Sequence, residues 1–313
     1  MQPAQAKHLQ LKGAAYGLAA ASIWAGWSVV TRLAVTTNLD AWDIAALRFG
    51  VAGLLLAPVV ARRGLARDRL GWLGLGVLTA GVGAPYALVA ATGLRFAPAY
   101  DGGALNPGCM PLFVALIAAI VVGEKPSVTR MLGLSLILVG AVTIMGWHAE
   151  GRDAAWSTSR LFGDLLFLIA AFLTAGFTFV MKHARLDPLH ATALAATGSL
   201  LIYLPIYFAF DGVRLARVPL ADLAIQALFQ GVAVSIISLV LYGRAVVILG
   251  ASGGAAFGAL VPALAALLAI PLLGEWPSET DWVGVGLVSS GVYLASGGPL
   301  PKGKPRDDCQ PRR

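Results

Sequence analysis

An all-α membrane protein of ten transmembrane helices, built as two inverted five-helix repeats, is the fold class that three features of this sequence predict. Of its 313 residues 58% are hydrophobic and only 12% charged, about half the charged share of an ordinary globular domain. A soluble fold of that composition has too little polar surface to stay in solution. The apolar residues gather into ten runs of about 17 to 25 residues, the length that crosses a hydrocarbon core about 30 Å thick. The second half of the chain also repeats the first at a constant offset. The 37 glycines and 17 prolines suit the same class, because neighbouring membrane helices re-satisfy backbone groups that a kink sets free.

The runs centre on Ser22, Gly53, Gly81, Leu112 and Val139 in the first half and on Ala171, Leu201, Val232, Ala263 and Ser289 in the second. The first, residues 13–31, carries no charge. It follows Lys7 and Lys12 but lacks a clear small-x-small cleavage site, so it reads as a retained span rather than a signal peptide. The fifth and tenth, rich in Leu, Val and Gly without buried polar groups, read as peripheral supports. Trp42, Trp72, Trp147, Trp156 and Trp282 stand near span ends, where indoles anchor helices at the membrane interface.

Counting cations on alternate sides orients the chain, since short loops rich in Lys and Arg stay cytoplasmic. Sixteen of the 23 Lys and Arg residues fall on one side, at Lys7, Lys12, Arg62, Arg63, Arg67, Arg69, Lys125, Arg130, Lys182, Arg185, Arg244, Lys302, Lys304, Arg306, Arg312 and Arg313. Arg32, Arg48, Arg95, Arg152, Arg160, Arg214 and Arg217 fall on the other. Both termini are therefore expected in the cytoplasm, with residues 298–313 as a disordered cytoplasmic tail. The net charge of +7 is thus a matter of topology. No basic stripe interleaved with aromatics occurs, so nucleic acid is not an expected partner.

Little in the sequence points to chemistry on bonds. Cys109 and Cys309 read as free thiols, and His8, His148, His183 and His190 show no metal-ligand spacing, so neither metal nor cofactor is expected. No G-x-S with a facing histidine, no H-E-x-x-H and no D-D-x-x-D occurs, which argues against an intramembrane enzyme.

Sliding the chain by 151 positions lays G-E-K-P-S-V-T (residues 123–129) on G-E-W-P-S-E-T (residues 274–280), identical at five of seven places. The same shift matches Gly102-Gly103-Ala104 with Gly253-Gly254-Ala255, Pro111 with Pro262, Gly133 with Gly284 and Gly140 with Gly291. A shift of 150 matches Gly13 with Gly163 and Arg32 with Lys182. Five spans per repeat is an odd number, so a direct repeat in sequence becomes an inverted one in the bilayer, the construction of many secondary transporters. Residues 13–147 and 161–297 are read as the two repeats.

In that architecture Gly/Pro-interrupted spans at matching positions mark the substrate site. Spans three, four, eight and nine form the expected central set, with hinge or gating candidates Gly83, Pro85, Pro107, Gly108, Pro111, Gly254, Gly258 and Pro262, where proline removes a backbone donor and glycine allows close approach. Candidates to line a cavity are Trp24, Trp27, Tyr86, Tyr100, Asn106, Phe177, Ser238, Tyr242 and Phe257; their aromatic faces suit apolar, planar or cationic ligands.

Ionisable residues are weighed separately, because a charge deep in a span usually has a task. No Asp, Glu, Lys or His lies near the middle of any run, so a buried carboxylate relay is not expected. Arg48 is the most embedded charge. Pairing with Asp43 or Asp40, or snorkelling toward the interface, is placed ahead of binding an anionic substrate group. Arg32 and Lys182 are expected on opposite faces, in gate or interface roles. Glu124 and Glu275 are read as structural caps accepting backbone amides at the positive ends of the fifth and tenth helices.

The two copies of a proline in span four or nine, followed by an apolar run and G-E-x-P-S-x-T, together with L-R-F at residues 47–49, resemble EamA-type members of the drug/metabolite transporter superfamily. The resemblance covers nearly all of residues 13–297. It implies a ten-helix carrier in the bacterial inner membrane with cytoplasmic termini, exporting a small-molecule substrate, and it is greatest to bacterial aromatic amino acid exporters. Cationic drugs or purines are the alternative cargoes. The oligomeric state is left open, a monomer being sufficient for the scheme.

Overall fold

The computed structural model describes residues 3–146, 154–210 and 214–298. Ten long helices follow one another: α1 (Pro3–Val35), α2 (Ala41–Arg63), α3 (Arg67–Phe96), α4 (Ala99–Val122), α5 (Val128–Gly146), α6 (Ala154–His183), α7 (Pro188–Phe210), α8 (Leu220–Gly250), α9 (Gly253–Leu273) and α10 (Glu279–Ala295). Among the described residues there is no strand. Nine of the helices are long and apolar enough to cross a membrane. The tenth, α10, has 17 residues; at a rise of about 1.5 Å per residue it reaches the lower limit for a span. Trp147, His148, Cys309 and the expected tail beyond residue 298 lie outside the described residues, as does the side chain of Trp156.

Local chemistry explains where helices start and break. Asp40 caps α2 by accepting the amides of Trp42 and Asp43 at 2.9 and 3.0 Å, while Asp43 accepts the amide of Asp40 at 3.0 Å, a reciprocal capping box. Ser278 and Asp281 form the same device at α10. α3 is kinked at Gly83, just before Pro85, and the amide of Ala84 freed there donates to Ser199 Oγ of α7 at 2.9 Å. α8 opens into wide π turns over Ala227–Ile237, a geometry that recurs at functional sites. Gly250, with φ 79° and ψ 169°, turns the chain from α8 into α9, a conformation that an L side chain strains to adopt.

The two halves interlock rather than sit side by side. α1 packs on α8 and α9, α2 on α7, α3 and α4 on α6, and α5 on α10. The α5–α10 pair forms one edge of the bundle, with Met131, Leu132, Val139, Val142 and Val283 turned outward. The two helices touch backbone to backbone: a Cβ on Gly291 comes within 2.6 Å of the Gly133 carbonyl, and one on Gly140 within 2.9 Å of the Gly284 carbonyl. Gly291→Leu is therefore expected to wedge α5 from α10 and destabilise the fold by about 1–3 kcal/mol, read as a lower midpoint of thermal unfolding in detergent; an unchanged midpoint rejects the close contact.

Cross-links identify which helix ends share a face. At one end, Arg32 in the last turn of α1 meets Glu275 before α10, Asn38 donates to Asp222 at the start of α8 at 2.6 Å, and the Tyr203 hydroxyl of α7 donates to the Trp42 carbonyl at 2.9 Å. At the opposite end, Arg63 pairs with Asp187 between α2 and α7 at 2.9 Å, Arg130 with Glu124 at 2.7 Å, and Lys182 closes α6. Successive helices therefore alternate in direction, and the two repeats run oppositely.

Candidate functional site: a cavity sealed at one end

Two hollows that share Trp24 in their walls lie between the repeats. The larger, about 400 Å³, is lined by Trp24, Pro107, Met110, Pro111, Val114, Thr178, Tyr242, Gly258 and Val261, with Arg130, Lys182 and Ser296 at its rim. Lys182 and Ser296 are exposed, so this hollow opens at the Lys182 end. The smaller, about 150 Å³, is lined by Trp24, Arg48, Phe49, Val82, Phe177, Thr192, Val234, Ser235 and Ser238, among others. Trp24 belongs to both walls.

The aromatic candidates divide between these walls and the packing around them. Trp24 donates its indole N–H to Ser238 Oγ at 2.9 Å and meets the Tyr242 ring at 5.0 Å between centroids. Ser238 passes its own proton to the Val234 carbonyl at 2.6 Å. Phe177 reaches the smaller hollow across Gly81 of α3. Trp27 stacks on Tyr86 at 6.2 Å, and Tyr86 Oη accepts a hydrogen bond from Asn106 at 2.9 Å, so these three make a rigid layer behind the cavity. Two further expected lining residues are also absent from both walls. Phe257 packs on α1 against Gly17, because α9 turns that face to its neighbour helix. Tyr100 sits at the sealed end beneath the Arg160 guanidinium, 5.3 Å from its ring centre.

The hinge candidates also sort by position. Pro107, Pro111 and Gly258 line the larger hollow, and nothing lies within 4 Å of a Cβ placed on Gly258. Gly108 abuts Val288 of α10, and Gly254 abuts Val246 and Tyr242. Pro262 lies buried inside α9, while Gly83 and Pro85 mark the kink of α3.

Sealing the other end is a group of buried charges that the sequence did not lead us to expect. Arg160 of α6, 1% exposed, donates Nε to Asp101 Oδ2 at 2.6 Å and Nη2 to Asp101 Oδ1 at 2.8 Å and to Asp281 Oδ1 at 2.9 Å. Asp164, one turn further along α6, is fully buried with neither carboxylate oxygen hydrogen-bonded. The sequence reads as holding no acid near the middle of a span; these carboxylates gather instead toward one end of the bundle. Asp101 and Asp281 stand in the first turns of their helices, where charges are ordinary, while Arg160 and Asp164 lie six and ten residues past the start of α6; α4, α6 and α10 bring them together. Arg160 and Asp164 are spaced i, i+4 on one helix face, the one local signal of the group. Gln226 and Gln230 were missed as well: Gln230 donates to Thr31 Oγ1 at 2.9 Å and Gln226 to the Val30 carbonyl at 3.3 Å, tying α8 to α1.

Beside this group Arg32 donates Nε to Glu275 Oε1 at 2.9 Å and Nη1 to the Leu94 carbonyl at 2.6 Å, while Glu275 Oε2 accepts the Ala99 amide at 2.7 Å. The two glutamates are therefore not caps of the helices that follow them, which corrects that reading. Glu275 joins α1 to the start of α4, and Glu124 accepts Arg130. The capping falls to the serine of the same repeated motif, Ser278 at α10 and Ser127 at α5, where Ser127 accepts the amide of Arg130 at 3.3 Å. Arg48 does not pair with Asp43 or Asp40 either. Asp43 takes the Tyr207 hydroxyl at 2.6 Å and Asp40 caps its helix, whereas the Arg48 guanidinium lies 5.4 Å from the Phe49 ring centre and 5.9 Å from that of Tyr86. Five residues along α2 from Asp43, Arg48 points to a different side of the helix.

Comparison with known proteins agrees with this architecture. A model of the EamA-like transporter family matches residues 11–146 and 161–297. A probable terminal-alkyne amino-acid exporter of Streptantibioticus cattleyicolor is 28% identical over 288 residues, covering 90% of this chain and 92% of its own. An uncharacterized transporter of Archaeoglobus fulgidus is 29% identical, covering 88% and 93%. A riboflavin transporter of Brucella anthropi is 30% identical over 53% of this chain and 56% of its own. A solved crystal structure superposes with a TM-score of 0.58 at 22% identity, covering 90% of this chain and 96% of that one, a likeness of fold.

Proposed function

Since this chain belongs to the EamA-like transporter family, we propose that it is a secondary carrier that exports small amphipathic metabolites by alternating access, amino acids first and aromatic ones among them. The observation that carries this reading is the aromatic-walled hollow between two oppositely directed repeats, open at the Lys182 end and sealed at the Glu275 end. The name of the Streptantibioticus relative supports amino acids. Cationic drugs and purines are the alternative cargoes. In this reading the protein is no enzyme. It sits in a bacterial inner membrane with both termini cytoplasmic, as the distribution of Lys and Arg favours, so the hollow faces the cytoplasm in the conformation described. The halves formed by residues 13–147 and 161–297 exchange roles to open the other side.

Purified protein in liposomes is expected to move labelled phenylalanine or tryptophan. Gly108→Leu, which drives α4 into Val288 of α10, and Pro111→Leu, which straightens the wall of the hollow, are expected to cut the initial rate to that of empty vesicles while membrane insertion persists. Flux of no amino acid, purine or cationic drug rejects the carrier reading, and full flux in both variants removes α4 from the moving parts.

A further inference from the structure

We propose that Arg48 is the anchor for a carboxylate on the transported molecule, so that the cavity selects organic acids with an apolar tail and the amino group of an amino acid is dispensable. The proposal rests on the carrier reading and names the ligand chemistry of the same cavity.

The argument begins with a charge left without its opposite. Arg48 is set about a third of the way along α2, half-buried, in the wall of the smaller hollow. No hydrogen bond or salt bridge joins it to another described residue, and its Nε is buried without a partner. The acids closest along the chain, Asp40 and Asp43, are engaged at the start of the helix. What the guanidinium meets is aromatic, the faces of Phe49 and Tyr86. Ring faces hold a guanidinium in place and favour its charge, but they leave its N–H donors unsatisfied. A buried donor without an acceptor is unfavourable, and a charge in a membrane protein ordinarily marks a substrate path.

The rest of the lining says what completes the site. Neither hollow has an Asp or Glu in its wall, whereas Arg48 lies in one and Arg130 and Lys182 stand at the rim of the other; Glu124 meets Arg130 from outside that lining. A cation entering here finds no carboxylate, so the walls disfavour a cationic drug. An anion in the smaller hollow finds a planar fork of donors in Arg48, the geometry that binds a carboxylate through two parallel bonds. Trp24 and Phe177 flank the same hollow and offer faces to an apolar tail, and the hydroxyls of Ser235, Ser238 and Thr192 stand in its wall. Ser235 and Ser238 already spend their protons on backbone carbonyls, which leaves Arg48 as the dominant donor for a negative group.

Binding to the purified full-length protein, by calorimetry in detergent, separates the parts. Phenylalanine and 3-phenylpropionate are expected to bind alike, and phenethylamine, which keeps the ring and amine but lacks the carboxylate, about tenfold more weakly or worse. Leucine, 4-methylpentanoate and isoamylamine repeat the comparison with an aliphatic tail. Arg48→Gln is expected to weaken both acids of a series by about tenfold or more and to leave the amine unchanged; Arg48→Lys, which keeps the charge without the fork, falls between. A thermal unfolding midpoint equal to that of the parent shows that each variant is folded. Equal binding of acid and amine, undiminished acid binding by Arg48→Gln, or no binding of any acid in either series overturns the anchor. Arg48-dependent binding without flux in vesicles overturns the carrier reading and keeps the anchor, whereas flux of acids indifferent to Arg48 does the reverse.

Discussion

Arg160→Ala is expected to destabilise the protein more than any other single substitution discussed, by about 3–5 kcal/mol, read as a large fall in the midpoint of thermal unfolding in detergent. The side chain is 1% exposed and holds two aspartates through three hydrogen bonds of 2.6 to 2.9 Å. Removing it leaves Asp101 and Asp281 buried without their cation, Asp281 keeping its capping contacts with Ser278, and Asp164 beside them with neither oxygen hydrogen-bonded. Coulomb attraction is not what is lost in the main, since burying the ions consumes much of that gain; the cost is an uncompensated buried charge. Two further variants separate these terms. Arg160→Lys keeps the charge but loses the two-pronged contact with Asp101, so it is expected to recover only part of the midpoint. The pair Arg160→Met with Asp101→Leu removes both charges of the closest contact, and is expected to be more stable than Arg160→Ala alone. If Arg160→Ala melts with the parent protein, the seal at this end does not depend on the ionic group.

The second large effect is conformational. Glu275→Gln is expected to shift the carrier toward the state that opens at the Glu275 end. The glutamate links α1 through Arg32 and α4 through the Ala99 amide, and the pair is partly exposed, 13% and 17% for the two side chains. Solvent screening therefore holds its worth to about 1 kcal/mol, roughly a fivefold change in the ratio of the two states. A cysteine at Gly258, where a Cβ meets nothing within 4 Å, reports on the larger hollow. In a background with Cys109 and Cys309 replaced by alanine, its alkylation by an impermeant maleimide from the Lys182 end is expected to slow in Glu275→Gln. An unchanged rate rejects the latch. By the repeat, Lys182 and Glu124 are the counterpart pair; here Glu124 is held by Arg130 and Lys182 stands free at the rim, the arrangement an open end requires.

Much of the fold can be read from the sequence because bilayer thickness and backbone hydrogen bonding leave few solutions. Ten apolar runs become ten helices, and the repeated G-E-x-P-S-x-T segments fall at opposite ends of the bundle. The site was less accessible, for a physical reason. Asp101 and Asp281 each lie near a helix end, where a charge normally faces water or headgroups, and only packing of three helices shows that they and Arg160 and Asp164 of α6 are buried together. Arg160 reads as a loop cation until α6 is seen to begin at Ala154. Aromatic residues carry a similar ambiguity. Trp24 and Phe257 look equivalent in sequence, but α1 turns one toward the hollow and α9 turns the other onto Gly17. Arg48 was visible as an embedded charge, and what it lacks, an acid partner, shows only in three dimensions.

The repeat does not make the two latches identical. One offers the guanidinium of Arg32, which grips a carboxylate and the Leu94 carbonyl together; its counterpart offers the ammonium of Lys182, a compact and strongly hydrated point charge. In the proposed cycle the two closed states are therefore expected to differ in free energy. Such a tilt cannot choose the direction of net movement, which belongs to the gradients across the membrane. In the proposed cycle it sets a kinetic asymmetry: the return of the empty carrier is downhill one way and uphill the other, and half-saturation concentrations measured from the two faces are expected to differ even for the same cargo.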